Sequence, residues 1–71
     1  MLEFNLREGE EYIQLNHLLK IFNLVMSGGE AKIVIREGEV LVNDEVETRV
    51  GKKLYKGDTV SFAGKTIVIN D

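Results

Sequence analysis

The sequence contains no cysteine and only one histidine, His17. It therefore has no disulfide, no thiolate zinc site and no thiol nucleophile, and one imidazole is too few for a histidine-based metal centre. No apolar run approaches the roughly 18 residues that a membrane-spanning helix needs, and the N-terminus does not have the pattern of a signal peptide. We therefore expect a cytoplasmic protein without a metal, a cofactor or a membrane partner.

The chain is short, and its charge is unevenly distributed. Its 71 residues suffice for one small domain over residues 1–71, and such a domain buries only about 60% of the surface that its unfolded chain exposes. The net charge is −3, yet residues 1–47 hold four basic and ten acidic side chains, and residues 48–71 hold five basic and two acidic ones. Overall acidity lowers the expectation of a nucleic-acid partner, but a polyanion responds to the local field.

Two helices are predicted in the first half of the chain. Leu15, Leu18, Leu19 and Phe22 form the i, i+3, i+4, i+7 stripe of an amphipathic helix, and Asn23 can end it because asparagine tolerates the left-handed conformation.

The second helix is expected to begin at about Gly28, because Ser27 followed by Glu30 matches a capping box. Gly38 is placed to end it. Its buried face is predicted to consist of Ala31, Val34 and Ile35.

Alternating apolar residues predict strands on both sides of the helix pair. These strands are expected in the segments LEFNL, EVLV, TVSF and TIVIN, and in a return strand on which Val46, Thr48 and Val50 alternate. Asn43-Asp44 is predicted to form the hairpin turn before the return strand, and Leu54 to anchor the loop after it. The order β-α-α-β-β-β-β predicts an α+β domain in which two adjacent helices pack on a small, mostly antiparallel sheet of four to five strands.

Gly28 and Gly29, at the start of the second helix, allow three interpretations. They form a loose turn, or they let the helix pack closely on its neighbour, or they leave bare the N–H groups of a helix N-terminus, where an anion is favoured. At 100° per residue, Lys32 and Arg36 share one face with Gly29, although as like charges they cost about 0.2–0.5 kcal/mol. That face suits a phosphate group, although the carboxylate of Glu30 would compete with the phosphate for the helix N-terminus.

A second basic segment lies between Arg49 and Lys56, where four basic side chains occur without an acidic one. Basic loops that carry an aromatic residue are typical of nucleic-acid contacts. Tyr55 in this loop either stacks on a base or packs with Leu54 as a lid on the core. The acidic clusters lack the spacing of a calcium loop and are expected to be solvated turns; they are Glu8-Glu10-Glu11 and Asp44-Glu45-Glu47.

The ordered pattern from the second helix onwards resembles the S4-type RNA-binding domain, also called the αL motif. The matching positions are Ser27, Ala31, Val34, Ile35, Gly38, Val40, Val42, Asn43, Gly57, Asp58 and Val60. The chain also looks like the stand-alone YbcJ-like group of small proteins, through Ser27-Gly28-Gly29, Ala31-Lys32, Glu47-Thr48-Arg49, Lys53-Leu54 and Gly57-Asp58. The resemblance covers roughly residues 13–69.

The resemblance implies a non-enzymatic protein that binds structured RNA, in particular ribosomal RNA or a ribosomal particle. We expect it to act as a monomer, without a small-molecule substrate. Position by position, the resemblance assigns RNA binding to Ser27, Gly28, Gly29, Lys32, Arg36, Asn43, Arg49, Lys52 and Lys53. Three residues depart from the family pattern. Gly28 and Val50 stand where arginine is usual, and Asp44 stands where a turn glycine is usual.

The alternative is a protein-interaction adaptor. It would dock a partner through its acidic face, or by strand addition at the edge of the C-terminal hairpin. An enzyme is not expected, because no nucleophile or acid–base pair is apparent and His17 falls on the polar side of the first helix.

Overall fold

The computed structural model describes all residues from Met1 to Asp71. Its elements in chain order are β1 (Leu2–Asn5), β2 (Ile13–Gln14), α1 (Leu15–Ile21), α2 (Gly28–Arg36), β3 (Leu41–Val42), β4 (Glu45–Val46), β5 (Lys53–Leu54), β6 (Thr59–Phe62) and β7 (Lys65–Asn70). Five strands form one sheet in the order β1-β7-β6-β3-β4, and β2 pairs with β5 in a separate ribbon. The prediction of two adjacent helices with a small sheet is confirmed. Neither helix is long and apolar enough to cross a membrane.

The larger sheet is antiparallel except where the two ends of the chain meet. β1 runs parallel to β7, with Leu2 opposite Ile67 and Asn5 opposite Asn70. β7 and β6 form an antiparallel hairpin, and β3 pairs with the other side of β6. The C-terminal hairpin therefore lies inside the sheet, so strand addition at its edge, one of the two docking routes of the adaptor alternative, has no free edge to use. The edges of the sheet are β1 and β4.

α1 follows the predicted leucine stripe. Leu15, Leu18 and Leu19 are completely buried, and Phe22 follows the last helical residue as the C-cap. Asn23 then adopts a φ of 56°, which is the left-handed conformation expected of a residue that ends a helix.

α2 begins with the predicted capping box. The Oγ of Ser27 accepts a hydrogen bond from the Glu30 N–H at 3.1 Å, and the Glu30 carboxylate accepts one from the Met26 N–H at 2.6 Å. Gly38 ends the helix with a φ of 79°, a conformation that glycine adopts without strain. Ala31 and Ile35 are fully buried against the core.

One apolar core of 14 residues joins the helices to the sheet. The sheet contributes Val42, Val60, Ile67 and Ile69, of which the last two are completely buried. Leu54 is also completely buried, as expected for a residue that anchors the basic loop. At about 25 cal/mol per Å² of apolar surface, this burial is the main stabilising contribution available to so small a chain.

The predicted return strand is shorter than expected. β4 ends at Val46, whose side chain is 60% exposed, Thr48 is exposed and Val50 is half-buried. Glu47 is buried instead. The alternation stops because the Glu47 carboxylate turns back to accept the Arg49 N–H at 2.9 Å, so the prediction of a return strand on which Val46, Thr48 and Val50 alternate is wrong beyond Val46.

Candidate nucleic-acid interface

The fold does not require glycine at either of the first two positions of α2. A Cβ at Gly28 would meet nothing within 4 Å, and one at Gly29 would meet only the Ser27 Oγ, at 3.7 Å. Neither glycine has a positive φ, and both are exposed. Because they lie in the first turn, their N–H groups have no intrahelical acceptor. Two donors at the positive end of the helix dipole are therefore accessible to an anion.

Lys32 and Arg36 continue the same exposed surface along α2. The ion pairs of the chain are Arg49–Glu47 and Lys56–Asp71, so neither cation on the helix is neutralised by a partner. We call Ser27, Gly28, Gly29, Lys32 and Arg36 the helix patch. The Glu30 carboxylate lies at the edge of the helix patch. It accepts a hydrogen bond from the N–H of Met26, a residue that precedes the two glycines in the chain.

The basic loop is fixed to the start of α1 by its own backbone. The N–H groups of Leu15 and Asn16, which an isolated helix would leave free, donate to the carbonyl oxygens of Lys52 and Val50 at 2.9 and 3.2 Å. β5 also pairs with β2, so Lys53 lies opposite Gln14. These contacts hold the loop in one position, with Lys53 exposed and Lys52 half-buried.

Arg49 is held by a buried acid. Its Nε and Nη2 lie 2.9 and 3.0 Å from the two carboxylate oxygens of Glu47, whose side chain is only 11% exposed while that of Arg49 is 71% exposed. The hydrogen bonds from Arg49 lower the pKa of Glu47 from 4.5 to about 2 and outweigh the opposing effect of burial, and Glu47 in turn raises the pKa of Arg49. The expectation that Glu47 belongs to a solvated turn is wrong.

We predict that Glu47 makes the stability of the fold depend on pH. Because its folded-state pKa lies below 4.5, its contribution is complete above pH 4.5 and is lost as the pH falls towards 2. The shift corresponds to at most about 3 kcal/mol, which solvent screening at the exposed Arg49 reduces to about 1–2 kcal/mol. Urea unfolding of Glu47→Gln and wild type between these pH values measures it. Glu45→Gln, at an exposed neighbour, is the control, and equal pH profiles for all three proteins would contradict the prediction.

The loop residues are brought together around two shallow clefts. One, of about 350 Å³, is lined by Arg49, Gly51, Lys52, Lys53 and Tyr55. The other, of about 280 Å³, includes Asn43 together with Arg49 and Lys52. We call Arg49, Lys52 and Lys53 the loop patch. No cleft is lined by residues of both patches. Of the nine predicted site residues, five lie at the start of α2 or along it, three lie in the loop patch, and Asn43 lines the smaller cleft with Arg49 and Lys52.

The structure gives Asn43 a role that the sequence pattern does not reveal. Its Nδ2 donates to the Asp58 carboxylate at 3.0 Å, and its Oδ1 accepts from the Thr59 N–H at 3.0 Å. Asp58 also accepts from the Tyr55 N–H at 2.8 Å. With a φ of 51°, Asn43 thus forms the predicted turn and ties it to the start of β6.

One aromatic residue next to the loop patch has no signal in the sequence pattern. Tyr12 lies beside Tyr55, with 6.0 Å between ring centroids, and the Lys53 Nζ is 4.9 Å from the centre of the Tyr12 ring. The pairing of β2 with β5 creates this contact, so only a correct strand register would have found it. His17 is exposed on α1, as expected.

Comparison with known proteins shows that the chain belongs to the S4 domain family, whose model matches residues 4–70. It is 50% identical over 54 residues to the "Probable ribosome maturation protein RlbA" of Bacillus subtilis (strain 168), which covers 76% of each chain. It is 45% identical over 58 residues to YbcJ of Escherichia coli (strain K12), which covers 82% of this chain and 83% of YbcJ.

A solved structure supports the same conclusion about the fold. The solution structure of YbcJ from E. coli, described as revealing an αL motif involved in RNA-binding, superposes with a TM-score of 0.74 at 41% identity. The match covers 100% of this chain and 89% of that one. The resemblance seen in the sequence is therefore confirmed for the family and for the fold.

Proposed function

We propose that this chain is a single, non-catalytic domain that binds structured RNA, and that its partner is ribosomal RNA or a ribosomal particle. Membership in the S4 domain family supports RNA as the class of ligand, as does the RNA-binding αL motif for which the E. coli structure is described. The ribosomal partner is supported by the B. subtilis relative, which is named for ribosome maturation.

The observation that carries the proposal is the helix patch. Two exposed glycines, for which the fold has no steric or conformational need, are followed on the same helix by two cations without an acidic partner. The same residues provide bare N–H donors and positive charge for a phosphate backbone, which approaches most closely where no side chain intervenes.

The loop patch supplies the second contact. The domain is small, with Cα positions that span 31 × 22 × 19 Å, and we propose that one RNA helix contacts both patches, over about the 16 base pairs that a double-stranded RNA-binding domain covers. We propose that Lys32, Arg36, Lys52 and Lys53 contact phosphates and that Arg49 does so from a position set by Glu47. Asn43 acts mainly by shaping the adjacent turn. The acidic surface elsewhere repels RNA and so orients binding.

Salt dependence tests this proposal. Fluorescence anisotropy with a fragment of structured ribosomal RNA would compare wild type with Lys32→Ala/Arg36→Ala/Lys53→Ala at several salt concentrations. Each phosphate contact contributes roughly 0.7–0.9 to the slope of log affinity against log salt. We expect the variant to lose about two units of slope and to bind about 10- to 100-fold more weakly at low salt.

The matched control removes the same amount of charge from other parts of the chain, through Arg7→Ala/Lys20→Ala/Lys65→Ala. This control is expected to bind nearly as wild type does, because contacts with the RNA and not net charge set the slope. Equal binding by wild type and both variants would reject the two patches as the interface. Absence of wild-type binding even at low salt would reject RNA as the ligand and would favour the adaptor alternative, in which the acidic face docks a protein.

A further inference from the structure

The ribbon formed by β2 and β5 has one buried and one solvent-exposed face. Ile13 and Leu54 face each other in the antiparallel register and point into the core. Side chains alternate along a strand, so the flanking residues point outwards. Continuing the register by one residue places Tyr12 opposite Tyr55, next to Lys53. The two tyrosines of the chain therefore meet on one small exposed surface.

The geometry of this surface suits a flat ligand. The Tyr12 and Tyr55 rings are 6.0 Å apart between centroids and inclined by 55°, and the two residues are 38% and 47% exposed. The two rings are too close for a planar group to insert between them, because insertion needs parallel rings roughly 7 Å apart, which is twice a van der Waals contact. A planar group can only stack on an outer ring face. The Lys53 ammonium lies 4.9 Å from the Tyr12 ring centre, which leaves Tyr55 as the more accessible platform.

Charge identifies the class of the ligand. Tyr55 also lines the cleft of about 350 Å³ that contains Arg49, Lys52 and Lys53. An aromatic ring at the rim of a cationic cleft presents a stacking surface and a phosphate site within one nucleotide of each other. This combination is the one by which proteins hold unpaired nucleotides.

We propose that Tyr55, supported by Tyr12, stacks on an unpaired nucleobase of the RNA while the loop patch holds the adjoining phosphates. This inference rests on the proposed function and narrows its substrate: the RNA has a bulge, loop or single-stranded end next to its helix. Tyr12 acts as a positioning residue, because its ring packs against Tyr55 and one of its faces is covered by the Lys53 ammonium. Removal of Tyr55 therefore weakens binding more than removal of Tyr12.

Two RNA probes separate stacking from phosphate binding. One is an RNA hairpin with an unpaired adenosine loop, and the other is the fully paired duplex of the same stem. For the hairpin, we expect Tyr55→Leu to bind about tenfold more weakly than wild type, and Tyr55→Phe to bind normally because it keeps the ring. For the duplex, all three proteins are expected to bind equally, with the same salt slope.

Tyrosine fluorescence provides a direct readout, because the chain has two tyrosines and no tryptophan. In Tyr12→Phe the emission comes from Tyr55 alone, and stacking on a base is expected to quench it after correction for absorption by the RNA. Unchanged emission on binding, together with wild-type affinity of Tyr55→Leu for the hairpin, would overturn the stacking proposal and leave the two patches standing. Failure of wild type to bind either probe would overturn both proposals.

Discussion

Replacing Leu54 by alanine is expected to destabilise the fold by about 2–5 kcal/mol, the usual cost of truncating a fully buried leucine. Leu54 is completely buried and is opposite Ile13 in the β2–β5 ribbon, so its loss leaves a cavity beneath the basic loop. Proteins have roughly 0.05–0.15 kcal/mol of stability per residue, so this one substitution removes a large part of the total. Urea unfolding followed by circular dichroism measures the change.

The loss of stability in Leu54→Ala is expected to appear first at the basic loop. The N–H groups of Leu15 and Asn16 donate to loop carbonyls, so their protection from hydrogen exchange should fall in Leu54→Ala before that of the sheet does. Val46→Ala, at an apolar position that is 60% exposed, is the matched control and should change stability by less than about 1 kcal/mol. Similar unfolding midpoints for the two variants would show that Leu54 does not anchor the loop.

Features with a cause inside a few residues were predictable from the sequence. The capping box depends only on Ser27 and a glutamate three positions later, and the observed hydrogen bond of 3.1 Å confirms it. The turn at Asn43-Asp44 depends on two residues that tolerate positive φ, and both adopt it. The leucine stripe of α1 depends on helical periodicity alone. In each case local physics and the final fold agree.

Features with a distant cause were not predictable in the same way. Pairing of β1 with β7 joins residues 2–5 to residues 67–70, and no local pattern indicates that partner. This pairing covers the outer side of β7 and β3 covers the outer side of β6, which is why the C-terminal hairpin has no free edge. The contact of Tyr12 with Tyr55 has the same origin, since it depends on a ribbon with only two residues in each strand.

Within the candidate site, the sequence predicts which residues are basic, but it does not predict which of them are paired with an acidic side chain. Lys32, Arg36 and Arg49 are all basic and exposed. Only Arg49 has an acidic partner, because Glu47 is buried where the alternation of β4 stops. A buried carboxylate is costly unless it is paired, so the burial of Glu47 depends on its ion pair with Arg49. Sequence spacing alone treats the three cations as equivalent.

The second large effect expected is at the β3–β4 turn. Asn43→Gly removes the hydrogen bonds to Asp58 and Thr59, of which the one to the carboxylate is charge-assisted. Because both bonds are exposed to water, together they should cost about 1–3 kcal/mol. Glycine is the suitable replacement because it accepts the φ of 51° without strain, so the measured loss reports the side-chain contacts and not the backbone.

Asp44→Gly is the matched control for this turn. Asp44 has a φ of 67° and is exposed, and its carboxylate takes no part in the network around Asp58. Its replacement should therefore leave stability unchanged within about 1 kcal/mol. If Asn43→Gly were as stable as Asp44→Gly but bound RNA more weakly, Asn43 would be a direct RNA contact. If it were less stable and its folded fraction bound RNA with the affinity of wild type, Asn43 would stabilise the turn without contacting the RNA, which is the result we expect.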